Sequence, residues 1–370
     1  MTTQEKLALT LTRIGTPQLR LLERLSNAVA VSGDEGEVRK IVLDQIKPAL
    51  ADQREAKVDA LGNILVTPKN SDGKNLRVML AAHMDEVGLM ITRDDGNGFY
   101  RFDIVGGIDS RQLAGKAVWV GKEHIIGVIG TKPIHLTTRE ELKRTLEVDD
   151  LRVDVGAENK SKVNLGDRVT FANPFRRIGD SLRLKAADDR LGVATLIELL
   201  KGDFPQLDLS VAFTVQEEIG LRGAQVAAYA LKPQIAIVLD CTPAHDMPAW
   251  DVERGKLEEP HRYNTRLGSG AAIYIADRVT LSDPRLVRFF IETAEALKIP
   301  YQIRQPGGGG TDAGAIHLTR EGVPTISISV PGRYIHTATS IVRIVDWQST
   351  LNLLQAALSR LTPDVIAGER

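Results

Sequence analysis

Two histidines and several carboxylates stand where a polar site would need them. His83 follows the apolar run 78–82, Glu217 and Glu218 follow 210–215, Asp240 follows 235–239, and His336 lies just beyond 325–330. Asp188 and Asp189 sit between the short run 182–184 and a helix expected to begin near Leu191. Imidazole and carboxylate together suit zinc, cobalt or manganese. One carboxylate can bridge two ions, and two ions a few ångströms apart can hold a water and polarise a carbonyl. Two histidines and three carboxylates are enough for two metals sharing one aspartate. His83 and Asp85 are two apart, which on an extended strand puts them on one face. Asp85 could then accept a hydrogen bond from the far ring nitrogen of His83 and fix its tautomer.

Each position alone has a plainer reading. Asp188-Asp189 would serve as a helix N-cap, Glu217-Glu218 as a solvated strand end, and Asp240 as the start of a turn with Thr242 and Pro243. A single histidine after a strand is usually structural. The set carries the argument. In an open α/β sheet, ligands bind beyond the carboxyl ends of the strands, so these positions should meet at one edge of one sheet.

The elements that must position them are legible as texture. Leu19, Leu22, Leu25 and Val29 recur at helical spacing, as do Val38, Ile41, Val42 and Ile46, with Pro48 expected to help end the second helix. Residues 57–66 read as extended with a turn at Leu61-Gly62-Asn63. From 86 to 174 short β-prone pieces alternate with Gly- and Asp-rich turns, and only 138–146 looks helical. Strand and helix patterns alternate again afterwards: helices at 191–200, 224–231, 284–297 and 347–361, strands at 210–215, 235–239 and 325–330. The expected fold is α/β: a discontinuous domain, 1–85 and 175–370, with a central mixed sheet flanked by helices, plus an inserted small β domain at 86–174.

A length of 370 residues suits two domains. Hydrophobic residues at 43% and charged residues at 26% exclude a disordered chain. Lys plus Arg is 47 against 48 Asp plus Glu, so the basic excess of a nucleic-acid partner is missing. No apolar run approaches the ~20 residues of a membrane span. The first residues lack the basic start and apolar core of a signal peptide. Cys241 is the single cysteine, so no internal disulfide forms and any metal must be held by His, Asp and Glu. A cytoplasmic location follows as the expectation.

At these residues the sequence resembles the M42 metallo-aminopeptidases, the glutamyl, deblocking and tetrahedral aminopeptidases. The matching segments are Ala82-His83-Met84-Asp85-Glu86-Val87-Gly88, Lys185-Ala186-Ala187-Asp188-Asp189-Arg190-Leu191-Gly192 and Val215-Gln216-Glu217-Glu218-Ile219-Gly220. Further along come the strand ending in Asp240, Gly309-Gly310-Thr311-Asp312-Ala313 and Arg333-Tyr334-Ile335-His336. They keep the family's order across nearly the whole chain. The resemblance implies a dinuclear metal-dependent aminopeptidase, with two divalent ions per subunit, zinc or cobalt. Asp188 would bridge them, His83 and Asp240 would complete one metal site, and Glu218 and His336 the other. Glu217 would be the general base and Asp85 the acid supporting His83. The resemblance also makes 86–174 a dimerisation domain and the protein a homo-oligomer, dimer or dodecamer, acting on peptides. For both Glu217 and Glu218 to serve one site, the chain must leave strand geometry there, with Gly220 close behind. After His336 the chain reads Thr337-Ala338-Thr339-Ser340, where the family usually has a serine soon followed by an acid.

Two other readings use the same residues. A metal-dependent N-acyl amino acid deacylase keeps the ions and changes the substrate. A metal-independent glycosidase would need two carboxylates only, leaving His83 and His336 without a role. The run Gly307-Gly308-Gly309-Gly310 suits closely approached backbone near a substrate, and without a following Gly-Lys-Ser/Thr it is no phosphate loop. His245 and Asp246 read as rim or structural residues, and Cys241 as a small packed hydrophobe.

Overall fold

The apolar stripes of the N-terminal region form two helices. α1 (Thr16–Asn27) has Pro17 in its first turn and buries Leu21, Leu22 and Leu25. α2 (Gly36–Leu50) buries Val38, Val42 and Ile46; Pro48 falls inside its last turn and does not end it. The computed structural model describes residues 11–50, 53–71, 73–247, 249–251, 256–258 and 265–370. The first ten residues, read above against a signal peptide, lie outside them.

The stretch after α2 folds back on itself. β1 (Arg54–Val58) pairs antiparallel with β2 (Ile64–Pro68), Val58 opposite Ile64. Asp59 Oδ1 builds the turn, accepting the backbone N–H of Leu61, Gly62 and Asn63. β3 (Leu76–His83) follows. Its Val78, Leu80 and Ala82 face one core layer while Met79 and Ala81 face the other. Both faces are covered, which is why this run is wholly apolar.

Six strands then close into a barrel: β4 (Gly88–Gly96), β5 (Phe99–Val105), β6 (Ala117–Val120), β7 (Ile125–Gly130), β8 (Arg152–Asp154) and β9 (Arg168–Phe171), in the order β4-β5-β8-β7-β6-β9. Closure removes free strand edges. Leu89, Ile91, Tyr100, Phe102, Val118 and Val169 belong to a core separate from the main one. The helix expected at 138–146 shrinks to one 3-10 turn, Glu141–Lys143. Thr138 Oγ1 accepts the Glu141 N–H, and Glu141 accepts the Thr138 N–H in return. Leu142 is 57% exposed, so no buried stripe rewards extension beyond that nucleus.

The rest completes the main sheet. In order come β10 (Arg176–Ile178), β11 (Ser181–Leu184), α3 (Ala187–Leu199), β12 (Leu207–Thr214), α4 (Arg222–Leu231) and β13 (Ile235–Pro243). A separate pair follows, β14 (Ala249–Asp251) with β15 (Lys256–Glu258). Then come β16 (Ala271–Tyr274), α5 (Pro284–Leu297), β17 (Tyr301–Arg304), α6 (Ala313–Ile316), β18 (Thr325–Arg333), β19 (Ser340–Arg343) and α7 (Ile344–Arg360). Among the described residues the sheet is mixed and 11-stranded, ordered β1-β2-β12-β3-β13-β18-β19-β11-β10, with β16 beside β18 and β17 beside β16. Its four middle strands, β12, β3, β13 and β18, are parallel neighbours. Helices α1, α2, α3, α5 and α7 pack on one face, and α4 and α6 on the other. The fold is therefore α/β, with a large mixed sheet, flanking helices and a small closed barrel.

Candidate active site

The four parallel strands all point their carboxyl ends at one edge. β3 ends on His83, Asp240 lies near the end of β13, and β12 and β18 each stop three residues short of Glu217 and His336. The start of α3 brings Asp188 to the same edge. Ligand atoms of His83, Asp188 and Asp240 lie within 4.8 Å of one another, and so do those of Asp188, Glu218 and His336. Asp188 is shared. Its Oδ1 is 3.0 Å from His83 Nε2 and its Oδ2 3.3 Å from His336 Nε2. His83 Nε2 is 3.9 Å from Asp240 Oδ1, and His336 Nε2 is 3.4 Å from Glu218 Oε2.

The neighbouring aspartates do two different jobs. Asp189 Oδ1 accepts the Gly192 N–H at 2.8 Å and caps α3. Asp188, joined to it by a cis peptide, turns to the histidines. A Cβ on Gly192 would stand 2.2 Å from Asp189 Oδ2, so only glycine permits this approach.

Glu217 and Glu218 both reach the site because the chain leaves strand geometry one residue earlier than expected. Gln216 takes a left-handed φ of 56°. The Asp85 carboxylate then catches the following two backbone N–H groups, Oδ1 from Glu217 at 3.0 Å and Oδ2 from Glu218 at 3.2 Å. Oδ2 also accepts from Ser32 Oγ at 2.6 Å. Toward His83 the closer partner is the Asp85 backbone carbonyl, 3.2 Å from Nδ1, with the carboxylate at 3.4 Å. His336 Nδ1 is held by a group the sequence did not reveal, the Gly107 carbonyl at 3.0 Å. A backbone oxygen carries no residue-type signature. Ala186, Leu221, Tyr334 and His336 also have positive φ, so unfavourable backbone concentrates around this edge, as at functional sites.

The electrostatics are those of crowded acids. Burial pushes the Glu217 carboxyl well above its ordinary range, opposed by His83 and reinforced by Glu218. Burial does the same to Asp240, with Asp188 and Asp189 adding to it. Glu218 is pushed up to about 7 by burial, against the pull of His336. Asp188 resists: burial works against its charge, yet hydrogen bonds from His336 and His83 hold it far below the usual carboxylate range. Burial likewise disfavours charge on His336, but Asp188 and Glu218 raise it to about 9.

A cavity of about 2110 Å³ opens above these groups. Asp188, Glu217, Glu218, Asp240 and His336 line it together with the Gly307-Gly310 run. Arg304 fastens that run by donating to the Gly308 carbonyl at 2.9 Å. His245 also lines the cavity, while Asp246 pairs with Arg333 at 2.6 and 2.8 Å. Cys241 is buried, its thiol donating to the Ala187 carbonyl. Past His336, Thr337 Oγ1 donates to the Tyr334 carbonyl at 2.8 Å, and Asn173 donates to the Ala338 carbonyl at 2.8 Å. Asp312, given no role by sequence reasoning, is buried and accepts from Thr214 Oγ1 at the end of β12.

A model of the family described as M42 glutamyl aminopeptidase matches residues 62–353. The chain belongs to that family. A putative aminopeptidase of Acetivibrio thermocellus is 35% identical to it, over 91% of this chain and 97% of that one. Among solved structures, an aminopeptidase from the archaeon Desulfurococcus kamchatkensis is 33% identical with a TM-score of 0.85, covering 95% of this chain and 97% of that one. The TET1 peptidase of Pyrococcus horikoshii, 31% identical with a TM-score of 0.79 over 93% of this chain and all of its own, can assemble into a tetrahedron or a large octahedral shell. This M42 chain is thus an aminopeptidase-type enzyme, a hydrolase acting on peptide bonds, in a metal-dependent family. The residues at its sheet edge fit cations. The donors are imidazole and carboxylate, and Glu218 Oε1 is buried with no hydrogen-bond partner, an arrangement that calls for an unseen ligand.

Proposed function

We propose that this M42 enzyme removes N-terminal residues from peptides at a two-cation centre. The observation that carries the reading is the sharing of Asp188 between two ligand groups, one oxygen toward each histidine. His83, Asp188 and Asp240 would hold one divalent ion, Asp188, Glu218 and His336 the second, with zinc or cobalt best matched to the donor set. Bound ions would supply the acidity of a water at neutral pH and polarisation of the scissile carbonyl.

The chain's own residues do the rest. Glu217 lines the cavity beside both groups but belongs to neither, which leaves its carboxylate available for protons. It takes the proton of the attacking water and hands it to the leaving amine. Burial and the neighbouring Glu218 carboxylate raise its pKa above the ordinary carboxylate range, the direction that favours taking up a proton. Asp85 orients Glu217 and Glu218 through their N–H groups, and with its own carbonyl keeps the His83 ring aligned. The Gly307-Gly310 backbone forms the wall a peptide passes.

Residues 1–85 and 175–370 form the catalytic domain in this reading, and 86–174 an inserted dimerisation domain. The separate barrel core supports the division, and Ile126, Ile134, Leu136 and Leu165, all at least 60% exposed, are apolar side chains of that domain that a second copy would cover. A homo-oligomer, dimer or dodecamer, follows, in keeping with the assemblies of the TET1 peptidase. Among the described residues no helix is long and apolar enough to cross a membrane; with a lone buried cysteine, the cytoplasm is the proposed location.

The test is metal quantification combined with a panel of aminoacyl anilides and N-acyl amino acids. Two ions per chain and cleavage of free-amino anilides are expected, with activity lost on chelation and restored by zinc or cobalt. Turnover of N-acyl amino acids alone would replace the aminopeptidase reading with the deacylase. Activity indifferent to chelation would remove the ions from the mechanism.

A further inference from the structure

The two histidines are held in place from different parts of the molecule. The His83 ring leans on Asp85, two residues along its own segment. The His336 ring leans on Gly107, 229 residues away in sequence, in the loop between β5 and the 3-10 turn Ser110–Gln112 of the insert. A carbonyl accepting from Nδ1–H fixes the tautomer that turns the Nε2 lone pair toward Asp188 and Glu218. The contact is close. A Cβ on Gly107 would lie 3.1 Å from His336 Nδ1, and one on Gly106 3.3 Å from Glu218 Cβ. Gly106 and Gly107 therefore run close against two of the three members of one ligand group, with no room for a side chain between.

We propose that this loop is a positioning element for the Asp188–Glu218–His336 group, with Gly107 as its positioning residue. The inserted barrel sets how tightly that group holds a cation. The His83–Asp188–Asp240 group takes its support from the main domain. The inference rests on the two-cation reading above. It makes the two cation sites unequal, the one containing His336 weakening whenever the insert shifts.

Gly107 does not have a left-handed φ, so a side chain there meets the ring without a backbone penalty. Co2+ is titrated into chelator-treated full-length wild type, Gly107→Ala and Gly107→Val, followed by calorimetry and visible absorption. Gly130→Ala, in β7 of the same barrel with its nearest foreign atom 3.9 Å away, is the control. Wild type and Gly130→Ala should bind two equivalents alike. Gly107→Ala should weaken one equivalent about tenfold and Gly107→Val more, while the other equivalent is kept, which also shows that the variant is folded. The alanine variant carries the test if valine disturbs folding. Unchanged binding of both equivalents, or equal weakening of both, overturns the proposal. A wild type that binds fewer than two ions overturns the two-cation reading beneath it.

Discussion

Asp85 is fully buried and organises other charged residues. Sequence spacing placed it beside His83, and it is there. Its contacts to the N–H groups of Glu217 and Glu218 cross 132 and 133 residues and no spacing rule announces them. Those contacts leave the Glu217 side chain free while its backbone is fixed. Replacing the carboxylate by an amide should keep that backbone and remove the base. Glu217→Gln is expected to lower kcat by about 10²–10⁴ with bound metal unchanged by elemental analysis. A fully active Glu217→Gln enzyme would end the base assignment.

At the scale of elements, the join between barrel and sheet is a buried polar cluster. Glu86 accepts from Lys185 Nζ at 2.7 and 2.8 Å, from Arg190 at 3.3 Å, from the Ala30 N–H at 3.0 Å and from Thr170 of β9 at 3.1 Å. The carboxylate is 3% exposed and Lys185 1%. Lys185→Met strands much of that negative charge, and a loss of about 3–5 kcal/mol in urea unfolding is expected; a change near zero would mean the cluster does not secure the join. Asp346, in the first turn of α7, accepts from the N–H groups of Gly268 and Gly270 at 2.7 and 2.8 Å. Burial pushes it up to about 6, against those bonds. An acid raised on folding stabilises below its unfolded value and loses that contribution as pH rises through its folded one. Wild type should therefore lose stability relative to Asp346→Asn between about pH 4 and 6. Parallel stability curves for the two proteins would contradict the raised value.

At the scale of the whole molecule, ligands from β3, α3, the β12 exit, β13 and the β18 exit converge, so a bound ion ties together segments spread over the chain. Ions that bind only the native arrangement stabilise it by mass action. At 100-fold excess over Kd each site adds about 2.7 kcal/mol, roughly 3 °C in Tm for a chain this long. Chelation should lower Tm by that order, and scanning calorimetry with and without chelator measures it. An unchanged Tm would show that the sheet edge is formed without any contribution from ions.

The helices, the parallel strands and the identity of the candidate ligands were legible in the chain, because apolar periodicity follows from burial and ligand chemistry from side-chain type. The segment 138–146 was misread because helical pattern without a buried face is not enough. The Asp85 contacts to the Glu217 and Glu218 N–H groups, the left-handed φ at Gln216 and the Gly107 carbonyl behind His336 were decided by the tertiary structure alone. Each depends on which way a backbone faces after distant segments pack, and that direction is set by contacts rather than by residue type.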